Sequence, residues 1–167
     1  MRIRANDGSA YERDRNNFRK KFSSEQLANL TRTSRKRTWA NSYLKGASFE
    51  GENHRGTDFS YCNLREVNFS KADLRSADFT KSDLTNANLR GADLSGAQLY
   101  GVNLTNADLT DAVLRGVCLR EVCLDDAILD ETDLSEVNFG DHLEFITLDD
   151  DGSKVYSIKG TNYEIAL

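Results

Sequence analysis

The sequence predicts a solenoid, a protein built from stacked copies of one short repeat. A five-residue period runs from Leu44 to Phe139, and every fifth position holds Leu or Phe except at His54. A small residue usually stands two places before this central position, and Asp or Asn usually stands one place before it. Such a period matches neither the 3.6-residue repeat of an amphipathic helix nor the two-residue alternation of a strand. It fits a chain that points a small and a large side chain inward and then turns a corner with three outward residues.

The repeat A-(D/N)-L-x-x resembles that of the pentapeptide-repeat family, and twenty consecutive units keep this register over residues 42–141. Glycine stands two places after the centre in seven units, where its backbone freedom is useful. The resemblance implies an all-β solenoid: a right-handed quadrilateral β-helix with four units per coil and about five coils. It also implies a binding or scaffolding role rather than catalysis, and Asp rows that are structural.

Four units per coil would stack residues twenty apart, and nineteen of the twenty central positions are apolar. Fully burying one such side chain contributes about 1.5–3 kcal/mol, so the pattern predicts a dry core. Glu52 and His54 are the exceptions, because both fall at inward positions. An unpaired buried charge is costly. We therefore expect an irregular first coil in which the two residues are paired, exposed or displaced by a bulge. A Glu–His pair for proton transfer or metal binding is the alternative.

The rest of the chain divides into an arm and a tail. Residues 1–41 form the predicted N-terminal arm and cap, and residues 142–167 form the predicted C-terminal β tail. In the tail, the β-rich runs LEFITL and KVYSI surround DDDGS, which predicts a hairpin. We expect it to cap the last coil, and the alternative is that its apolar residues form a homodimer contact.

The arm is predicted to be helical and is strongly basic. Phe18 and Phe22 are four residues apart, which favours a helix from about Tyr11 to Phe22, and a second short helix would end at Leu30. Residues 1–40 contain 11 Lys or Arg and 4 Asp or Glu, whereas the body is acidic towards its C-terminal end. The helices could cover the first coil, with Trp39 and Leu30 as a plug. They could also bind an acidic partner protein, nucleic acid or an anionic membrane.

Cysteine usage indicates no disulfide framework and no metal site. Cys62 occupies a small inward position and is predicted to fill the core. Cys118 and Cys123 are five residues apart, which places them on adjacent faces, and a disulfide between them is not favoured.

Residues that depart from the repeat are the candidates for partner binding. Four successive units replace Asp or Asn by an apolar residue, and together these would encircle the solenoid. Other candidates are outward arginines, one tyrosine, and the basic and aromatic residues of the arm. The candidates are Phe18, Lys20, Lys21, Phe22, Arg35, Lys36, Arg37, Arg55, Arg75, Tyr100, Val113, Arg115, Cys118, Arg120, Cys123 and Ile128.

The sequence predicts a cytoplasmic, non-enzymatic protein-interaction module or adaptor. It contains no apolar run of about 20 residues that could span a bilayer, no secretory signal and no nucleophile–base constellation. No cofactor is expected, and the partner protein is not identified. One alternative is a regulator of nucleic-acid machinery, because some members of the family resemble an acidic DNA rod and bind DNA gyrase. Another is nucleic-acid binding by the basic arm, although the acidic body would repel such a ligand.

Overall fold

The body of the protein is a ladder of stacked coils. A computed structural model describes residues 3–4, 10–11, 38–148 and 154–166. Parallel bridges join residues twenty apart, beginning with Thr38 and Asp58 and ending with Cys118 and Asn138. The predicted stacking of four units per coil is therefore confirmed, and the fold is a β-helix. Among the described residues the ladder begins at Thr38, inside the segment that the sequence assigned to the arm.

Each unit is held by the same set of backbone hydrogen bonds. The N–H of Leu64 donates to the carbonyl of Asp83 in the next coil over 2.8 Å. The N–H of Asp83 donates back to the carbonyl of Cys62 over 3.0 Å. Within the unit, Val67 N–H donates to Leu64 O over 3.1 Å and closes the turn. Since most of these bonds cross to a neighbouring coil, a single coil could not form alone.

Every corner of the coil uses the left-handed backbone conformation. All residues at every fifth position from Asn41 to Glu136 have positive φ, between 54° and 69°. Glycine occupies seven of these twenty corners, so the geometry is imposed by the ladder rather than by glycine alone. Side-chain-bearing residues reach this region at a cost of roughly 1–2 kcal/mol each, which the backbone bonds and the core offset.

The core lies along the axis of the coils and changes character along it. The first half is aromatic: Phe49 stacks on Phe69 at 5.0 Å between ring centroids, and Phe59 stacks on Phe79 at 5.2 Å. Phe59 also meets Phe69 edge-on at 5.4 Å. From Leu84 to Leu129 the central residues are buried leucines. The small residues two places earlier are mostly buried as well, and Cys62 is buried as predicted.

The first coil is regular, so the expected irregularity of this coil was wrong. His54 N–H donates to Asp73 O over 2.8 Å, and Asn53 pairs with Asp73 in register. His54 is buried, and its Nε2 lies 3.0 Å from Glu52 Oε2, so the expected pairing is confirmed. Regular geometry is kept because Glu52 is half-exposed and an imidazole ring fits among the aromatic rings, 4.8 Å from Phe49.

The tail is a three-stranded antiparallel sheet. Strands β3 (Leu143–Leu148) and β4 (Lys154–Ile158) form the predicted hairpin, with a register shift between residues 145 and 147. The third strand, β5 (Glu164–Ala166), was not predicted and pairs with β4.

The tail is hydrogen-bonded to the last coil. In earlier coils the N–H of a corner residue donates to the residue nineteen places later, as Asn106 does to Asp125. The N–H of Asp126 donates instead to Gly160 O, over 2.7 Å. Tyr163 also donates its hydroxyl to Asp130 Oδ1 over 2.6 Å. The tail thus supplies a carbonyl that a further coil would have supplied.

The remaining strands belong to the N-terminal segment. The chain divides into two compact units, Met1–Lys36 and Arg37–Leu167. In the first, β1 (Ile3–Arg4) pairs antiparallel with β2 (Ala10–Tyr11). The predicted helix does not begin at Tyr11, because that residue is in β2. The remainder of that helix, and the second helix through Leu30, lie outside the described residues.

Candidate interaction surface

The Asp and Asn rows on the outside of the coils are structural. All thirteen Asp or Asn residues at the bridging position from Asn53 to Asn138 accept the N–H of the residue two places later. Asp108 Oδ1, for example, accepts Thr110 N–H over 3.0 Å and Thr110 Oγ1–H over 2.6 Å. Although partial burial acts to raise it, these bonds and one from Arg90 lower the pKa of Asp108. The carboxylates thus hold the turns, as the family resemblance implied.

The four apolar replacements occupy this same bridging position, one on each face. We call them the apolar belt: Val113, Cys118, Cys123 and Ile128. Each is in ladder register, as Ile128 is with Asp108 and Cys118 with Gln98. Ile128 is 41% exposed and Cys118 is also exposed, whereas the other two are half-buried. Valine and isoleucine have no acceptor for the N–H two places later. At these positions the apolar belt therefore lacks the turn hydrogen bond that the Asp and Asn rows accept.

Two adjacent faces of the last two coils combine the belt with negative charge that is mostly uncompensated. We call residues 102–111 and 122–131 the acidic–apolar face. It contains no Lys or Arg and six carboxylates: Asp108, Asp111, Asp125, Asp126, Asp130 and Glu131. Asp108 pairs with Arg90 at 3.1 Å. Within the described part of the chain, no ion pair involves Asp111, Asp126 or Glu131. The sequence showed that the body is acidic towards its C-terminal end, but the concentration of these residues around Ile128 follows from the stacking.

The predicted arginine column is largely neutralised by its neighbours. Arg75 lies 2.6 Å from Asp73 and 3.6 Å from Asp93, and its hydrogen bond lowers the pKa of Asp73 to about 2. Arg115 lies 2.8 Å from Glu136. Among the described residues, Arg55 forms no ion pair. The structure therefore places the three arginines on one face without creating a continuous basic patch.

Tyr100 and Arg120 lie in the neighbouring outer column, beside a cation that the sequence reading missed. Lys81 Nζ is 4.7 Å from the centre of the Tyr100 ring and 3.6 Å from Glu121 Oε2. A hydrogen bond to Glu121 raises the pKa of Tyr100. Lys81 can reach across the intervening coil because the corner residue there, Gly101, has no side chain.

Two other exposed aromatic residues were missed, Tyr43 and Tyr61, with exposed fractions of 46% and 61%. The available signal was position: each replaces a polar residue at an outward site of the repeat. The candidates in the arm lie outside the described residues and remain predictions. They are Phe18, Lys20, Lys21, Phe22, Arg35, Lys36 and Arg37.

The side chains of Glu52 and His54 form a hydrogen-bonded pair at the edge of the aromatic core. His54 is enclosed by the rings of Phe49 and Phe59, at 4.8 and 5.4 Å between ring centres. The part of the chain that the structure describes has no group of three or more His, Cys, Asp or Glu residues suited to a metal ion. Nor does that part contain a helix long and apolar enough to cross a membrane.

Comparisons with known proteins agree with this architecture. Residues 55–91 and 92–130 match the family model for pentapeptide repeats, with eight copies. A search of curated protein sequences found no match. A solved pentapeptide repeat protein from Nostoc PCC 7120 is 28% identical, covering 70% of this chain and 94% of that chain, with a TM-score of 0.57.

Two further solved structures are more distant in shape. A pentapeptide repeat protein from Cyanothece 51142 is 28% identical over 67% of this chain and 93% of that chain, with a TM-score of 0.35. One from the Arabidopsis thaliana thylakoid lumen is 27% identical over 66% and 71%, with a TM-score of 0.40. Together with the twenty-residue coil and its left-handed corners, the family-model match and the Nostoc structure show that residues 55–130 of the chain are pentapeptide repeats.

Proposed function

We propose that the chain is a non-enzymatic protein-interaction module that binds a partner protein through the outer faces of its β-helix, with the basic arm as a second contact. The observation that carries this proposal is the apolar belt. At thirteen bridging positions the outward side chain accepts a hydrogen bond that fixes a turn. At Val113 and Ile128 this hydrogen bond is replaced by an apolar side chain that is partly accessible to solvent. Exposed apolar side chains on a rigid frame are typical of binding surfaces.

Affinity capture from the native host tests the proposal. The baits are the full chain, a variant with Arg35, Lys36 and Arg37 changed to Ser, and Ile128→Asn. Asn88→Asp serves as the matched control, because it alters the same column two coils earlier and keeps an acceptor for the turn. A protein enriched by the wild type and lost from one variant assigns recognition to that element. If the wild type enriches no protein over an unrelated bait, the proposal fails.

A second candidate function is regulation of a nucleic-acid-processing protein such as DNA gyrase. The observation that favours it is the acidic–apolar face, whose six carboxylates could attract a surface that normally binds DNA. A supercoiling assay tests this directly. Unchanged gyrase activity with the protein in excess would exclude it.

Three structural and cellular details complete the proposal. The coil has the right hand that the family resemblance implies, the tail contributes a homodimer contact, and the protein acts in the cytoplasm. Light scattering at increasing concentration tests the dimer, and fractionation of host cells tests the compartment.

A further inference from the structure

We infer that the acidic–apolar face binds a cationic, amphipathic protein segment, in which an apolar side chain contacts Ile128 and flanking Lys or Arg side chains pair with the surrounding carboxylates. This inference rests on the proposed function and names the class of partner. It is carried by three observations on the described residues: the exposure of Ile128, the charge around it, and the position of the tail.

The first observation is that Ile128 stabilises the fold less than a buried apolar residue would. Its column contains Ser48, Asn68, Asn88 and Asp108 in the preceding coils, all polar. Asn68, Asn88 and Asp108 each accept a hydrogen bond that fixes the following turn. Ile128 cannot accept one, and 41% of its surface stays in water. A partner that covered this side chain would recover burial that the isolated chain lacks.

The second observation is that Ile128 lies within an excess of negative charge. Asp126 and Asp130 stand two residues to either side, and Asp108 precedes it in the ladder. At the next corner, Asp111 N–H donates to Asp130 O over 2.9 Å, which brings Asp111 close to Glu131. Neighbouring like charges repel each other, and a cationic partner would relieve that repulsion.

The third observation is that the tail bounds this face on one side. Gly160 O accepts Asp126 N–H over 2.7 Å, and the Tyr163 hydroxyl donates to Asp130 Oδ1 over 2.6 Å. That bond raises the pKa of Tyr163, because ionising the phenol beside a carboxylate is unfavourable. Asp130 is therefore held in place, and a partner would lie on the open sheet beside this edge.

The chemistry selects a protein segment over other ligands. Phosphate groups of a nucleic acid or of a lipid would be repelled by the six carboxylates. A small cation alone would leave the apolar residue uncovered. A segment that presents a Leu-sized side chain between basic ones satisfies both features, since the exposed Ile128 lies between the acidic pairs at residues 125–126 and 130–131.

The test is a binding titration of the full chain with three short fluorescent peptides, of alternating Lys and Leu, Lys and Ser, and Glu and Leu. We expect the Lys–Leu peptide to bind at least about tenfold more tightly than either control. We expect Ile128→Asn, and separately the pair Asp111→Lys and Glu131→Lys, to weaken it by about tenfold or more. Binding should also weaken as the salt concentration rises.

The variants are matched to residues already in the same columns. Asn68 and Asn88 precede Ile128, and Lys71 occupies the corner column that contains Asp111 and Glu131. Glu66→Lys is the control, because it makes the same acid-to-lysine change, once rather than twice, at a corner three coils before Asp126, and it should alter binding by less than about twofold. Circular dichroism verifies folding. If a variant is unfolded, amide shifts of the wild type on peptide addition replace it and should centre on Ile128.

The inference is overturned if no peptide binds, if the Lys–Ser peptide binds as tightly as Lys–Leu, or if Ile128→Asn leaves binding unchanged. Amide shifts confined to other faces would also overturn it. These results are distinguishable from failure of the proposed function. If the wild type still captures a host protein but binds no peptide, only the hypothesis of a cationic partner segment is excluded. Failure of capture would remove the module proposal itself.

Discussion

Replacement of Phe69 by Ala should strongly destabilise the aromatic half of the core. Phe69 is fully buried, stacks on Phe49 at 5.0 Å and meets Phe59 and Phe79 edge-on at 5.4 and 5.8 Å. Deleting a buried Phe ring costs about 3–5 kcal/mol, because the transfer term and the cavity add. Natural domains have total stabilities of roughly 5–15 kcal/mol, so a large fraction would be lost.

Phe69→Leu separates the loss of volume from the loss of ring contacts. Leu89 follows Phe69 in the same column and is equally buried, so a leucine fits this site. The variant keeps most of the apolar burial and loses three ring contacts, each of which contributes about 0.5–1.5 kcal/mol beyond burial. Leucine recovers part of this through ordinary packing, and we expect a net loss of about 1–2 kcal/mol.

The measurement is urea unfolding of the full chain, followed by circular dichroism and by fluorescence. The single tryptophan, Trp39, lies edge-on to Phe49 at 6.2 Å and therefore reports on the first coil. Coils contact their neighbours only, so damage at Phe69 should move the fluorescence midpoint at least as far as the circular dichroism midpoint. Equal losses for the Ala and Leu variants, or a loss below about 1 kcal/mol for Ala, would refute the packing argument.

Three further predictions concern polar and titratable side chains. Cys118→Asn should restore the turn bond to Arg120 N–H and raise the free energy of unfolding by about 1 kcal/mol, whereas a lower urea midpoint would contradict this. Because Arg75 lowers the pKa of Asp73 to about 2, that pair stabilises the fold above the unfolded pKa of about 3.9 and this stability is lost as the pH falls towards 2. Arg75→Gln should raise the Asp73 pKa in an NMR titration. Burial raises the pKa of Cys62 to about 11, so a thiol reagent near pH 8 should label exposed Cys118 first and Cys62 only on unfolding; the reverse order would be incompatible with the core.

The sequence was sufficient for the parts of the fold that repeat. A strict five-residue period places the central residues, the small inward residues and the Asp rows in columns, and each column repeats one environment. Even Cys62 could be assigned from its position. The hairpin of β3 and β4 was visible because its alternating residues lie close together in the chain. The expectation of an irregular first coil at His54 was wrong because it treated the histidine only as a buried charge. Its imidazole ring is of a size that packs among the aromatic residues of the core.

What the sequence did not reveal depends on side chains meeting across coils. Besides its near neighbour Asp73, Arg75 contacts Asp93 in the next coil, and Arg115 contacts Glu136, so residues that look like a basic column are largely neutralised. Residues brought together by stacking are 18 to 40 positions apart, and the rotamers of long side chains decide which pairs form. The third tail strand, which pairs with the adjacent β4, was missed because it is only three residues long. The hydrogen bond between Gly160 and Asp126 of the last coil was also missed, because no local pattern specifies it.

That contact gives the last prediction, in which Gly160→Ala detaches the tail from the coil. A Cβ at Gly160 would lie 2.7 Å from Asp125 Oδ1 and 3.1 Å from Asp125 N, on a backbone with φ of +81°. The carboxylate can rotate away, but the backbone nitrogen is fixed by the ladder. We expect a loss of about 1–3 kcal/mol and faster hydrogen exchange at Asp126 N–H, which donates to Gly160 O.

Gly56→Ala separates this clash from backbone strain alone. Gly56 also has positive φ, at +63°, and an added Cβ there would have no atom within 4 Å. It should cost only the strain of a left-handed alanine, about 1 kcal/mol, and leave exchange at Asp126 unchanged. If both variants increase exchange at Asp126 equally, the tail is not held by contact at Gly160. If only Gly160→Ala increases exchange at Asp126, the tail is held on the last coil by its contact at Gly160. The carboxylates beside the tail then keep their positions because the tail is docked there.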